Sequence, residues 1–216
     1  MSTHNTTRHA TGQSQHCEQP YDSADCHCGS GSSKTLVAGA PRVALAGAPN
    51  AGKTSIYNAL TGLHAKTGNY PGVTVQRSMG TCKVGGKTLT IEDLPGAYSL
   101  DPISPDEQVV RDVLTDASQS ITVPDALVVV VDATTLRRGL NFVAEALALE
   151  LPTCLVVTMT DELTRRAGRL DVAALGQALG IPAVRVVGNR GIGIPELREH
   201  LTDIPSWQRP PLPAPT

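Results

Sequence analysis

Aromatic side chains are nearly absent from this 216-residue chain: Tyr21, Tyr57, Tyr70, Tyr98, Phe142 and Trp207 make up 3% of it. Proteins that hold single-stranded nucleic acid stack bases on aromatic faces, so this scarcity argues against that class. A net charge of -2 argues equally against a binder of phosphate backbones. Long apolar runs are missing too. The longest, Ala126 to Val131, is the size of one strand and far short of the roughly 18 residues that cross a bilayer. The N-terminus lacks the apolar segment of a signal peptide. These absences predict a cytoplasmic protein, where disulfides are rare, so Cys17, Cys26, Cys28, Cys82 and Cys154 are read as thiols or metal ligands.

Residues 1–35 contain no Val, Ile, Leu, Phe or Trp. Such a segment cannot bury enough apolar area to offset its ordering entropy, which predicts a disordered tail over 1–40. Within it, His16-Cys17 and Cys26-His27-Cys28 are either incidental residues or ligands for a soft metal such as Zn²⁺, although paired C-x-x-C spacing is absent. Five prolines between Pro205 and Thr216 predict a polyproline-like tail at the other end. The folded domain is therefore expected over 41–204, with an aliphatic core.

Inside that domain, strand and helix patterns alternate. Arg42 to Gly47, Ala126 to Val131 and Thr153 to Val157 are apolar runs that read as buried strands, and Ala183 to Val187 as another. Val75 to Val84 and Lys87 to Asp93 flank Gly85-Gly86, a two-residue hairpin signal. Ser104-Pro105-Asp106-Glu107 carries a capping-box start for a helix whose apolar face is Val109, Val110, Val113 and Leu114. The pattern predicts an α/β fold: a mostly parallel six-stranded sheet with one antiparallel hairpin strand and helices on both faces. Cys82 and Cys154 fall in strands and are expected in the core, whereas Arg137-Arg138 and Arg165-Arg166 read as solvated helix faces.

The chemistry lies in Gly47-Ala48-Pro49-Asn50-Ala51-Gly52-Lys53-Thr54, a full match to the phosphate-binding G-x-x-x-x-G-K-[ST] loop. It follows an apolar strand and precedes a helix, as that loop must. Backbone N–H groups of Gly47, Asn50, Ala51, Gly52 and Ser55 would curl around phosphate oxygens. Lys53 would reach the β- and γ-phosphates, and the Thr54 hydroxyl would ligate Mg²⁺. Asp93-Leu94-Pro95-Gly96 supplies a second metal ligand, the Asp93 carboxylate, and a backbone donor for the γ-phosphate through Gly96. Thr74, in the glycine-rich loop Gly68 to Thr74, is placed to close on Mg²⁺ and sense the γ-phosphate. Thr158-Met159-Thr160-Asp161 follows a strand. Asp161 can accept from N1–H and the exocyclic amine of guanine, a donor pair adenine lacks. The Gly188 N–H could meet guanine O6.

These motifs, in this order, resemble a small GTPase, and more closely the G domain of the ferrous-iron transport protein B (FeoB) family. GNYPGVTV at 68–75, DLPGAYSL at 93–100 and SPDEQVVRD at 104–112 carry the likeness, over about residues 41–202. The resemblance implies a P-loop NTPase that binds GTP and GDP with Mg²⁺ and hydrolyses GTP slowly. It implies that Asn50 holds a K⁺ ion beside the nucleotide. It also implies a switch in ferrous iron uptake, at the inner face of the membrane beside an iron permease or another transport subunit, with no nucleic acid partner. Ala97 stands where many GTPases carry a glutamine that orients water, so hydrolysis is expected to rest on backbone groups. Thr158 stands where the family has Asn, and Val187 where it has Ser, which predicts weaker guanine-nucleotide binding. An alternative is a scaffold or metal-sensing module with poor nucleotide binding, or a piece of a longer transporter. Tyr70 and Tyr98 fall in the two loops expected to move, outside the aliphatic core.

Overall fold

The computed structural model describes residues 39–63, 65–115, 122–187 and 190–207. The proposed tail ligands Cys17, Cys26 and Cys28, the base-loop residue Gly188 and the chain beyond Trp207 lie outside these. A seven-stranded sheet runs through the molecule: β1 (Arg42–Gly47), β2 (Ala65–Asn69), β3 (Gln76–Val84), β4 (Lys87–Asp93), β5 (Ala126–Asp132), β6 (Thr153–Thr158) and β7 (Ala183–Arg185). Their order is β2-β3-β4-β1-β5-β6-β7. β1 pairs in parallel with both β4 and β5, and β5-β6-β7 continue in parallel. β3 is antiparallel to both its neighbours.

The expected six strands become seven. The added strand, β2, reads AKTGN and has neither alternation nor a β-branched run. It exists because β3 offers it an edge, in the register Thr67↔Ser78 and Asn69↔Gln76. Its signal lies in a partner, not in its own residues.

Strand alternation divides the core into two layers. Val43 and Leu45 of β1 face α1 (Lys53–Thr61) and α6 (Ile194–Thr202), where they meet Ile56, Leu60, Leu197 and Leu201. Ala44 and Ala46 face the other way, toward α2 (Pro105–Thr115) and α3 (Leu136–Leu147), and meet Val110, Val113, Phe142 and Val143. Two shorter helices, α4 (Thr160–Arg165) and α5 (Val172–Leu179), complete the described α-helices. Cys82 and Cys154 are buried thiols, as expected. Arg165 and Arg166 pair with Glu162 on the solvated face of α4.

The capping box at α2 is only half realised. Ser104 Oγ accepts from the Glu107 N–H at 3.3 Å. The Glu107 carboxylate instead accepts from the N–H groups of Ile103 (3.1 Å) and Tyr98 (3.3 Å), so it braces the preceding loop.

Two side chains, Trp207 and Arg198, close the α1–α6 layer. Trp207 is 3% exposed and its indole N–H donates to His200 O at 3.2 Å. Trp207, just beyond the boundary expected at 204, is thus packed into the core. Arg198 of α6 donates to Ala59 O (3.1 Å) and Leu60 O (2.9 Å), carbonyls of the last turn of α1, and to Lys83 O (3.4 Å) of β3. A cation there also meets the negative end of the helix. Arg198→Ala should cost about 2 kcal/mol of stability, since hydrogen bonds from a charged donor are lost together. Urea denaturation would measure it, and a midpoint equal to the parent's would contradict it.

Candidate functional site

β1 ends at Gly47, where β1 and β5 come so close that a Cβ would collide with the Val130 carbonyl. The loop then turns through Asn50 (φ 61°) to Gly52, the N-cap of α1, which provides no side-chain cap. The first N–H groups of α1 therefore face the loop mouth without a side-chain acceptor, the arrangement that suits an anion. Lys53 Nζ donates to Gly47 O at 3.0 Å and Ala48 O at 2.9 Å. Burial lowers its pKa, and the charge of Asp93 opposes that shift.

Thr54 Oγ1 donates to Asp93 Oδ2 at 2.9 Å. Burial pushes the Asp93 carboxyl above its usual value, against the Thr54 hydrogen bond and Lys53. Asp93 Oδ1 is buried with no hydrogen-bond partner among the described residues. A hydroxyl and a carboxylate with a spare buried oxygen make a hard donor pair, which fits Mg²⁺. Both line a cavity of about 540 Å³ shared with Asn50, Lys53, Thr74 and Gly96. The structure thus brings the sequence-predicted phosphate and metal residues to one place. Gly96 lies so near the phosphate loop that a Cβ would fall 2.7 Å from the Pro49 ring, and the Ala97 N–H donates to Gly47 O at 3.1 Å. The Ala97 methyl is buried in the core.

A second, more enclosed cavity of about 240 Å³ lies further along the loop, lined by Gly52, Ser55, Thr158, Met159, Asp161 and Val187. Asp161 shares it with Arg165, whose guanidinium lies 3.6 Å from its carboxylate. Thr158, where the family has Asn, has a second partner besides the base. Its hydroxyl, in a residue 3% exposed, lies 2.7 Å from Ala51 O and donates there, which ties β6 to the phosphate loop. What threonine cannot add is a second polar group for the base. Met159, held at φ 54° and 39% exposed, offers an apolar surface that the sequence reading missed.

The two loop tyrosines divide. Tyr98 is half-buried, and Arg138, exposed on α3 as expected, sets its guanidinium 3.6 Å from the ring centroid. Glu145 of α3 holds the same loop through Ser99 Oγ (3.0 Å) and the Leu100 N–H. Tyr70 is the correction: it is 1% exposed and packs in the core layer with Leu94 and Ala97. Its hydroxyl donates to Glu92 Oε1 at 3.0 Å. Glu92, wholly buried on β4, was also missed. The visible signal was a carboxylate among Leu89, Ile91 and Leu94.

A phosphate loop with its lysine, a Thr–Asp pair at the end of the neighbouring strand, and this strand order define a P-loop G domain. Solved structures agree. The G domain of the T. maritima FeoB iron transporter superposes with a TM-score of 0.69 at 36% identity, covering 77% of this chain and 99% of that one. The cytosolic domain of the same transporter in a GDP form gives 0.71 at 36% identity, covering 78% and 64%. The ferrous iron transport protein B family matches residues 41–201, and the chain belongs to that family. Curated relatives include an Fe(2+) transport protein A/Fe(2+) transporter FeoB fusion protein of Porphyromonas gingivalis, 42% identical over 163 residues, and the Fe(2+) transporter FeoB of Leptospira biflexa, 38% identical over 165. Each alignment covers 76% of this chain but only 19% and 23% of those relatives, so the chain spans about a fifth of their length. No helix among the described residues is long and apolar enough to cross a membrane.

Proposed function

We propose that this domain binds guanine nucleotide, hydrolyses GTP slowly to GDP and phosphate, and acts as a nucleotide-controlled switch in ferrous iron uptake. The observation that carries the reading is the convergence of Lys53, the Thr54–Asp93 pair and Thr74 on one cavity, with Asp161 lining a second along the same loop. Lys53 and the loop amides bind the β- and γ-phosphates. Thr54, Asp93 and Thr74 would hold Mg²⁺, which when bound offsets charge on the phosphate oxygens. Asn50 would hold K⁺ at the mouth of the same cavity. The Gly96 N–H and Thr74 meet the γ-phosphate. Asp161 selects guanine through its two-donor edge, and the Gly188 N–H adds O6. The buried Ala97 methyl cannot orient water, which supports slow turnover. Curated relatives are named Fe(2+) transporters, which supports a place at the cytoplasmic face of the membrane beside an iron permease.

The test is calorimetric titration with GDP, GTP and ATP, with hydrolysis followed in K⁺ and in Na⁺. Guanine nucleotides should bind and ATP should not, with turnover faster in K⁺. Binding of no nucleotide in the millimolar range would sink the reading. In the same assay Thr158→Asn should tighten GDP binding about three- to tenfold, the return of one hydrogen bond to the base. Unchanged affinity would mean that Thr158 costs this domain nothing.

A further inference from the structure

β4 carries two acidic residues in succession on opposite faces. Asp93 lines the phosphate cavity. Glu92 points into the other layer, fully buried, between β3 and β1 in the register Met79↔Glu92 and Ala44↔Glu92. Glu92 Oε1 accepts from the Tyr70 hydroxyl at 3.0 Å and from Arg77 Nε at 2.8 Å, while Oε2 lies 3.4 Å from Arg42 Nε. The Arg77 guanidinium also sits 5.5 Å from the Tyr70 ring centroid. A buried carboxylate costs desolvation that well-packed apolar side chains do not, so such a cluster is weak evidence for stability and better evidence for positioning.

What it positions is the loop between β2 and β3. The Tyr70 N–H donates to Val75 O at 3.0 Å and Tyr70 O accepts from the Val73 N–H at 3.3 Å. Tyr70 is therefore the fixed base of a short loop whose exposed end carries Thr74 into the phosphate cavity. Packing alone does not require the hydroxyl, because the tyrosine ring already lies among Leu94, Ala97 and Val75. Burial, and then Glu92, raise the phenol's pKa, so it remains a donor.

We infer that Tyr70 and Glu92 are positioning residues for Thr74: they fix the 70–75 loop to the strand that carries Asp93, so that γ-phosphate contact and metal contact are set by one strand. The inference rests on the proposed role of Thr74 as the γ-phosphate sensor. A hydrogen bond to a buried charge fixes a geometry more strictly than apolar contact does. Its loss leaves the loop folded but Thr74 less often in place.

The experiment compares affinities for a fluorescent non-hydrolysable GTP analogue and the matching GDP analogue, both with Mg²⁺, in the parent, Thr74→Ala, Tyr70→Phe, Glu92→Gln and the Tyr70→Phe/Thr74→Ala double variant. Tyr70→Phe should weaken the GTP analogue about five- to tenfold and leave GDP unchanged. Glu92→Gln, which keeps an acceptor oxygen for Tyr70, should weaken it less. The double variant should lose no more than Thr74→Ala alone. Equal loss for GTP and GDP analogues would mark a merely structural role and overturn the inference. So would an unchanged ratio in Tyr70→Phe when Thr74→Ala does lower it. An unchanged ratio in Thr74→Ala itself would remove the sensor role, and the inference with it.

Discussion

Lys53→Ala should lower GTP turnover by about a hundredfold or more, on the scale seen when one preorganised donor to a developing charge is removed. Among the described residues, no other Lys or Arg lines the phosphate cavity beside it. Its ammonium is held between the Gly47 and Ala48 carbonyls at the mouth of the loop, partly desolvated. A charge in that setting interacts with phosphate more strongly than one in water. The loss should appear in nucleotide affinity as well as turnover, since the lysine contacts phosphate before and during the reaction. Circular dichroism and single-turnover kinetics would check it. Turnover within about threefold of the parent's, less than 1 kcal/mol in the barrier, would mean that hydrolysis runs elsewhere.

Asp93→Asn should separate stability from function. In the folded domain burial raises the Asp93 carboxyl pKa above its ordinary value of 3.8. Between 3.8 and the raised value the folded protein holds more protons than the unfolded chain, so this group's contribution to stability falls as pH rises through that window. Above it, the ionised carboxylate is a constant cost to the nucleotide-free fold. Asparagine keeps an acceptor for Thr54 and removes the charge. The nucleotide-free variant should therefore melt higher than the parent at neutral pH, with the difference vanishing as the pH falls below 3.8. Mg²⁺-dependent nucleotide affinity and turnover should fall by about a hundredfold, because the carboxylate no longer supports the cation. Melting curves against pH, with and without Mg²⁺ and GDP, would read both effects. A variant no more stable at neutral pH would contradict the burial argument.

How much of this was legible in the sequence depended on how local the cause was. β1, β5 and β6 are buried on both faces, and each reads as an unbroken apolar run. The phosphate loop is legible for a different reason: its glycines, Lys53 and Thr54 are contiguous, so spacing alone carries the geometry. β2 is not legible, because its five residues carry no pattern and it is a strand only against β3. Glu92 was visible as an acid in an apolar strand, but its partners Tyr70, Arg77 and Arg42 come from three separate segments. At Thr158 the replacement of asparagine was legible, but not the reach of its hydroxyl to Ala51 O at 2.7 Å, because that contact joins segments 107 residues apart. Trp207 was hidden by the prolines around it, whose composition gives no sign that this side chain packs with α1 and α6.

The strand order has a further consequence. Of the residues proposed for metal and γ-phosphate, Asp93 belongs to β4 and Thr74 to the loop ahead of β3, on one side of β1, whereas Thr158 lies at the end of β6 and Asp161 in α4 just beyond it, on the other. Under the proposed reading, the base contacts that lengthen a nucleotide's stay and the Thr74 contact that registers the loss of one phosphate lie in opposite halves of the sheet, while Asp93 serves both. Residence time and signal strength are then separately adjustable. A change near β6 would reset the clock without altering the message, and a change near β3 would do the reverse.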